Sequence, residues 1–347
     1  MTQFRIDVVI DPRRAKTGSK KVRTEIEKIN GSAQKLRKTL GQAIGVLAVG
    51  AGIAAGTRKL ADFSQEMSSV AAITRATAQE FDSLQAKALE LGSRTRFSAS
   101  QAAEGMTFLA RAGFEADEVL GTIEATLNLA QAGALELGAA ADIASNALTA
   151  FRLEVSESAR VVDVLALAAN SSNTTVAQLG DGLKLVAPIA AGVGVEIEEV
   201  TGAISALSNA GLQATLAGTG LRRVISELES PSTKTKKTLK QLGLDTEDYK
   251  ISSVGLTVAL KALADQGVDT GLGLEIFGDR GGPAFEVLSS SIGDVEDFTF
   301  ALQNAEGTAA RIAATMDDNL NGSRGGRDWF APRLLRLDRR RPARLDE

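Results

Sequence analysis

Histidine and cysteine are both absent from the 347 residues. That removes disulfides, thiolate nucleophiles, imidazole general bases, Ser-His-Asp machinery and Cys/His zinc sites, because each needs a side chain that is missing. Aromatic residues make up only 4% of the chain, with one Trp and one Tyr. So thin a supply argues against aromatic-lined ligand pockets. The 44% apolar fraction is mostly Ala, Leu, Val and Ile, and there are 34 Gly, a composition suited to close-packed helices. The length allows two or three domains, or one long element such as a rod. No secretory signal is expected, since MTQFRIDVVIDPRR has no compact apolar core before a cleavage site. The lack of Cys fits a reducing compartment.

A net charge of −4 conceals an asymmetry. Residues 1–60 carry 13 Lys+Arg against 4 Asp+Glu, and residues 324–347 carry 8 against 4, so the stretch between them is strongly acidic. Basic ends read as interaction segments, while an acidic body repels a nucleic-acid backbone, and no specific nucleic-acid binding is expected.

Phe4, Ile6 and Val8 alternate with charged residues and predict one short strand that ends near Pro12. From Val22 the apolar positions Ile26, Ile29, Ala33, Leu36, Leu40, Ala43 and Leu47 follow at alternating spacings of four and three. This heptad seam predicts a long coiled-coil-like helix that pairs with another helix. It runs into the uncharged stretch Thr39–Thr57, flanked by basic residues and barely long enough to cross a bilayer. Gly41/Gly45 and Gly52/Gly56 give two GxxxG spacings that let helix backbones approach closely, in a membrane or in a soluble bundle; the bundle is the preferred reading.

From Ala61 to about Leu228 amphipathic helical patterns are separated by Gly-containing turns. Thr77 with Glu80, Ser98 with Gln101, and Thr175 with Gln178 have the form of capping boxes. Gly92 and Gly113 are read as helix stops, and Pro188 as a kink or an end. Ser230–Lys240 reads as a basic boundary leading into a short helix. Helical patterning resumes over Val254–Leu263, is expected to break across Gly271–Gly282, and restarts at Pro283. The expected class is therefore all-α: a multi-helix bundle core preceded by a short strand and the long helix. The expected divisions are 1–60, 61–230, 231–322 and 323–347. The last is an Arg/Pro-rich segment in which the helical period is lost, expected either as a frameshifted or truncated end or as a disordered tail.

Candidate chemistry is sparse. Gly50, Gly52 and Gly56 resemble a loosened dinucleotide-binding turn, but a basic heptad helix stands where a strand is required, so close helix packing is the better reading. Asp317, Asn319, Asn321, Gly322 and Asp328 partly match a calcium loop; a locally stabilised turn explains them as well. Glu198/Glu199 and Asp245/Asp248 have no partner base and are expected on solvated helix faces. Lys234, Lys236, Lys237 and Lys240 could touch phosphates, yet no aromatic residues interleave with them, and a solvated linker is preferred. No catalytic residue, metal or cofactor is expected.

Three ordered stretches, FSASQAAEGMTFLARAGF (97–114), GTGLRRVISELESPS (218–232) and FGDRGGPA (277–284), resemble the core of phage tail tape measure proteins across about residues 60–322. The resemblance implies a structural protein of the virion tail, made in the host cytoplasm. It would occupy the tube lumen, set tail length, associate with itself, and work with the tail tube protein, tail assembly chaperones and baseplate or tip proteins. It points to Phe97, Ser98, Ala102, Gly113, Gly218, Thr219, Leu221, Arg222, Phe277, Gly278, Arg280 and Gly282. Of these, Arg222 and Arg280 are expected to make intersubunit or carbonyl-capping contacts, the alternative for the whole set being packing within the domain. The alternative function is a membrane-active helical protein that inserts its Gly/Ala-rich segment into the host envelope.

Overall fold

Several helix starts among the described residues are fixed by side chains that satisfy the first backbone N–H groups, and at three of them a Ser or Thr forms a reciprocal pair with the Glu or Gln three residues on. The Thr77, Ser98 and Thr175 hydroxyls accept from the backbone N–H of Glu80, Gln101 and Gln178, whose side chains accept in return from the capping residues' own N–H. Each such cap is worth about 1 kcal/mol. The computed structural model describes residues 52–317. Among them lie sixteen α-helices, one 3₁₀ turn and no strand, so the fold is all-α. The predicted amino-terminal strand, the heptad helix, Gly41, Gly45 and the segment from 318 to 347 lie outside the described residues.

The helices are α1 (Gly52–Thr74), α2 (Ala78–Arg94), α3 (Ala99–Arg111), α4 (Ala116–Ala132) and α5 (Leu137–Phe151), then α6 (Ser158–Ser171), α7 (Val176–Gly192), α8 (Ile197–Asn209) and α9 (Thr215–Glu229). Short helices α10 (Thr233–Gln241), α11 (Thr246–Tyr249), α12 (Ile251–Val254) and α13 (Leu256–Asp265) lead to α14 (Thr270–Ser290), α15 (Ile292–Gln303) and α16 (Thr308–Asp317). Gly52 and Gly56 fall in α1.

The chain repeats itself: α2–α5 and α6–α9 are two four-helix units with matching joints. Thr95 and Ser172 close α2 and α6 in extended conformation, and each hydroxyl donates to the carbonyl four residues earlier, at 2.9 and 2.7 Å. The Ser98 and Thr175 boxes then open α3 and α7. Gly113 and Gly194, at φ +102° and +82°, turn the chain toward Glu115 and Glu196, the caps of α4 and α8. Left-handed backbone there excludes most side chains, so glycine is required. Stacking is also repeated: α1 packs on α3, α5 on α7, and α9 on α14. The last two helices run back along the stack, α15 on α8 and α16 on α4 and α6.

One apolar core extends from Phe63 of α1 to Ala309 of α16. Helix α6 runs through this core: Val161, Val162, Val164 and Leu165 are almost wholly buried. Within that run Asp163 is also buried, and its two carboxylate oxygens accept from the backbone N–H of Gly307 and Ala309 at 2.7 and 2.8 Å. An α6 side chain thus caps the start of α16, and the Gln131 amide of α4 donates to the Ala313 carbonyl.

Several local expectations are corrected. Gly92 does not stop α2, which continues to Arg94; a Cβ at 92 would lie 2.5 Å from the Ala99 nitrogen, so the glycine serves a close crossing with the start of α3. Pro188 does not end α7; it is carried inside the helix, on its exposed face. The glycines of 271–282 do not break the helix throughout. Helix α14 begins at Thr270, breaks only at Gly278 (φ +71°, ψ −178°), and resumes before Pro283.

Candidate functional site

The three stretches singled out in the sequence do not converge on a pocket, but two of them meet. Helix α9 leaves Ala214, whose backbone holds φ +51°, ψ −123°, and its first turns carry Gly218-Thr219-Gly220-Leu221. Gly218 is buried against Gly182 of α7: a Cβ on Gly218 would fall 2.3 Å from the Gly182 carbonyl oxygen and 2.7 Å from its Cα. Two turns of helix therefore cross backbone to backbone. On the other side, a Cβ on Gly220 would stand 2.6 Å from Ala284 Cβ and 3.1 Å from the Arg280 carbonyl of α14. Leu221 is wholly buried and Thr219 half-buried. Two glycines two residues apart thus seat α9 between α7 and α14.

The facing stretch is the elbow of α14. Gly278 turns the chain so sharply that its two halves fold onto each other, and the Phe277 and Phe285 rings stack at 4.9 Å. Such a pair contributes about 0.5–1.5 kcal/mol beyond its burial. A Cβ on Gly282 would lie 3.0 Å from Leu274 Cα, so that glycine permits the fold-back. The break orphans helix carbonyls, and Arg223 answers one of them: its Nε donates to the Phe277 oxygen at 3.3 Å while its guanidinium pairs with Glu227 at 3.1 Å. Arg222 and Arg280 stand exposed at the rim of this junction.

Glu227 ties the end of α9 to the start of α10. Its carboxylate accepts from Thr235 Oγ1 at 2.6 Å and from the Ser232 N–H at 2.9 Å. Burial alone pushes its pKa up, but the hydrogen bonds from Thr235 and Ser232 and the Arg223 charge outweigh it and hold the group below the ordinary carboxylate range.

The remaining stretch lies elsewhere. Phe97 is half-buried with the Arg96 guanidinium 5.9 Å from its ring centre, Ser98 caps α3, Ala102 is fully buried on α3, and Gly113 supplies the turn after it. This helix packs on α1, α2, α4 and α5.

Of the carboxylates expected on solvated faces, Asp245 and Asp248 are exposed, whereas Glu198 is buried and Glu199 half-buried. Glu198 is 1% exposed, paired with Arg160 at 2.9 Å, and burial raises its pKa although Arg160 works to lower it. Glu199 accepts from the Thr257 N–H and hydroxyl at 3.1 and 2.7 Å, fastening α13 to α8. Asp248 accepts from the Asp245 N–H at 2.8 Å, a local turn contact. Of the calcium-loop residues only Asp317 is described, and among the described residues no three acidic groups gather as metal ligands. A groove of about 290 Å³ between α5 and α7 is lined mainly by Ile143, Ala147, Leu183 and Ala187; its rim lysine, Lys184, is held by Asp142 at 2.7 Å. What these residues can do together is fix helices against one another.

Sequence reasoning passed over Gly182, Gly220, Arg223 and Asp163. A signal existed for Asp163, a lone acid inside the apolar run VVDVLALA. For Arg223 over Arg222 it did not, because only the α14 elbow decides which arginine meets a carbonyl.

The family described as phage-related minor tail protein matches residues 85–278. The chain is 32% identical over 279 residues to the tape measure protein of Pneumococcus phage Dp-1, covering 78% of this chain and 24% of that protein. It is 31% identical over 295 residues to the probable tape measure protein of Escherichia phage P2, covering 81% and 36%. A third relative, the probable tape measure protein of Clostridium phage phiCD119, is 27% identical over 159 residues, 45% of this chain and 17% of that one. The chain thus spans from about a sixth to about a third of the length of these relatives. No solved structure matches.

Proposed function

This chain belongs to the phage-related minor tail proteins, the tape measure family, and on that premise we propose that it sets tail length and supports assembly of the tail tube, from within the tube lumen. The observation that carries the reading is the meeting of GTGLRR and FGDRGGPA. The matched family region contains the first and the opening of the second, and the chemistry of both is helix packing through glycine. The described residues of parts 61–230 and 231–322 act as one body in this reading, because the α9–α14 seam joins them.

The described helices contribute the body that engages other tail components; they are not the measured span. The longest, α1, has 23 residues, about 35 Å at 1.5 Å per residue, and the chain folds back repeatedly. Arg222 and Arg280, exposed at the seam, are the residues through which it meets tube, chaperone or baseplate proteins. Among the described residues no helix is long and apolar enough to cross a membrane, and most of Thr39–Thr57 lies outside them.

The test is genetic and microscopic. Loss of the protein in a phage or prophage that encodes it should abolish tails, while Arg222→Glu with Arg280→Glu should lower the number of tails without changing the length of those formed. Tails of normal number and length after its loss would refute the proposal.

A further inference from the structure

The last two described helices are fastened to the stack less firmly than the helix beneath them. Of the 12 residues of α15 only Val295 and Leu302 are buried, and α16 buries only Thr308, Ala309 and Ala313. In α6, by contrast, Val161, Val162, Val164, Leu165, Ala166 and Ala168 all enter the core. Much of the hold on α16 is polar: Asp163 accepts from the Gly307 and Ala309 N–H groups, and the Gln131 amide donates to the Ala313 carbonyl. The joint that precedes α15 runs Ser289-Ser290-Ser291-Ile292-Gly293. Ser290 and Gly293 are exposed, and a Gly293 Cβ would meet open space.

The helix that α15 covers adds a second observation. The two cross closely: a Cβ on Gly202 of α8 would stand 2.9 Å from Thr299 Oγ1 and 3.2 Å from the Thr299 nitrogen. Along the side of α8 next to Gly202, one carboxylate oxygen of Glu198 and the hydroxyls of Thr201, Ser205 and Ser208 are buried without a hydrogen-bond partner. Spacings of three and four place all of them on one side of the helix. A buried polar group left unpaired favours any state in which water reaches it. Few apolar side chains therefore hold this pair of helices down, while a row of polar groups on α8 favours their lifting.

We propose that α15 and α16 form a strap that swings off the stack as one cooperative unit, about the serine-rich joint at 289–293, while α1–α14 stay folded. Asp163 is its latch, and the unpaired groups of α8 set how often it opens. Cooperative local opening of this kind belongs to the parts of a fold with few buried apolar contacts. The strap goes beyond the tail role proposed above and does not depend on it. Residues after 317 leave the body through α16, so whatever engages them acts on the strap first.

Native-state hydrogen exchange of the full chain, read by mass spectrometry on peptic fragments, measures the opening. Amides of α15 and α16 should exchange together, on the order of a hundredfold faster than those of α6 and α8. Asp163→Ala should speed both helices by on the order of tenfold, although the hydrogen bonds it removes lie at the start of α16. The variant T201V/S205A/S208A should slow both by a similar factor. It removes the unpaired hydroxyls, and any change in the helix propensity of α8 is common to the open and closed forms. The pair G202C/T299C, unambiguous in a chain without cysteine, should bring α15 exchange down to that of α8 when oxidised and release it on reduction. Equal exchange in α6, α15 and α16, unrelated rates in α15 and α16, a triple variant that opens as fast as the wild type, or an oxidised pair that leaves α15 exchange unchanged overturns the proposal. Should a variant fail to fold, the wild-type comparison alone decides it.

Discussion

Replacing Gly218 with Ala should destabilise the protein even though alanine is the better helix former. The new Cβ would sit 2.3 Å from the Gly182 carbonyl oxygen, 2.7 Å from its Cα and 2.9 Å from its carbonyl carbon. All three are backbone atoms, so no flexible side chain can move aside. Ordinary contact needs more than 3 Å, so α7 and α9 must part by roughly 1 Å along their crossing. Overpacking of this kind costs about 1–3 kcal/mol. Against it stands a gain of about 0.5–1 kcal/mol from replacing glycine within a helix. The clash wins by the larger part of its range, and the separation also loosens the Gly220 contact with Ala284. Gly293→Ala is the matched control: that glycine is also helical but meets nothing within 4 Å, so only the propensity gain applies. Urea unfolding followed by circular dichroism should place G218A below the wild type and G293A at or above it. A G218A protein as stable as the wild type would show that α7 and α9 do not cross backbone to backbone.

Other perturbations read other joints. Asp163→Ala removes both acceptors at the start of α16 and should cost about 1–3 kcal/mol, with hydrogen exchange faster at Gly307 and Ala309 than in α3. Ala214→Gly should stabilise the protein by about 1 kcal/mol, because φ +51°, ψ −123° is a conformation that glycine adopts with little strain; unchanged thermal unfolding would count against that. Glu227 has a lowered pKa, so its stabilisation is present above the ordinary carboxylate pKa and is lost as pH falls through the folded value. Glu227→Gln should therefore flatten the acid limb of the stability profile. For Glu198 the sign is opposite: its raised pKa means that stability falls as pH rises from the ordinary value through the folded one. Glu198→Gln should remove that decline.

Much of the helical pattern was legible because its signals are local. A hydroxyl three residues before Glu or Gln fixes where a helix begins whatever lies around it, and the boxes at Thr77, Ser98 and Thr175 are all present. Glycine was read less well, because one residue type answers two demands. Gly113 and Gly278 supply a backbone conformation, whereas Gly92, Gly218 and Gly220 supply room for another helix. Only the neighbour distinguishes them. The repeat is faint in the sequence because its equivalent positions share function more than identity: Thr95 matches Ser172, Ser98 matches Thr175, and Phe97 stands where Thr174 does. Glu198 and Glu199 looked like solvent-facing acids because their partners, Arg160 and Thr257, are remote in the chain.

The cap that Asp163 places on α16 also imposes an order on synthesis. Its partner Gly307 is 144 residues downstream, so at 5–20 residues per second the ribosome delivers it roughly 7 to 30 s after the aspartate has emerged. Throughout that interval the nascent stack has a wet carboxylate along α6 and no α16 to cover α4. The unfinished protein therefore presents a helical trough for seconds during translation, and that window closes only when the distal segment arrives to fill it.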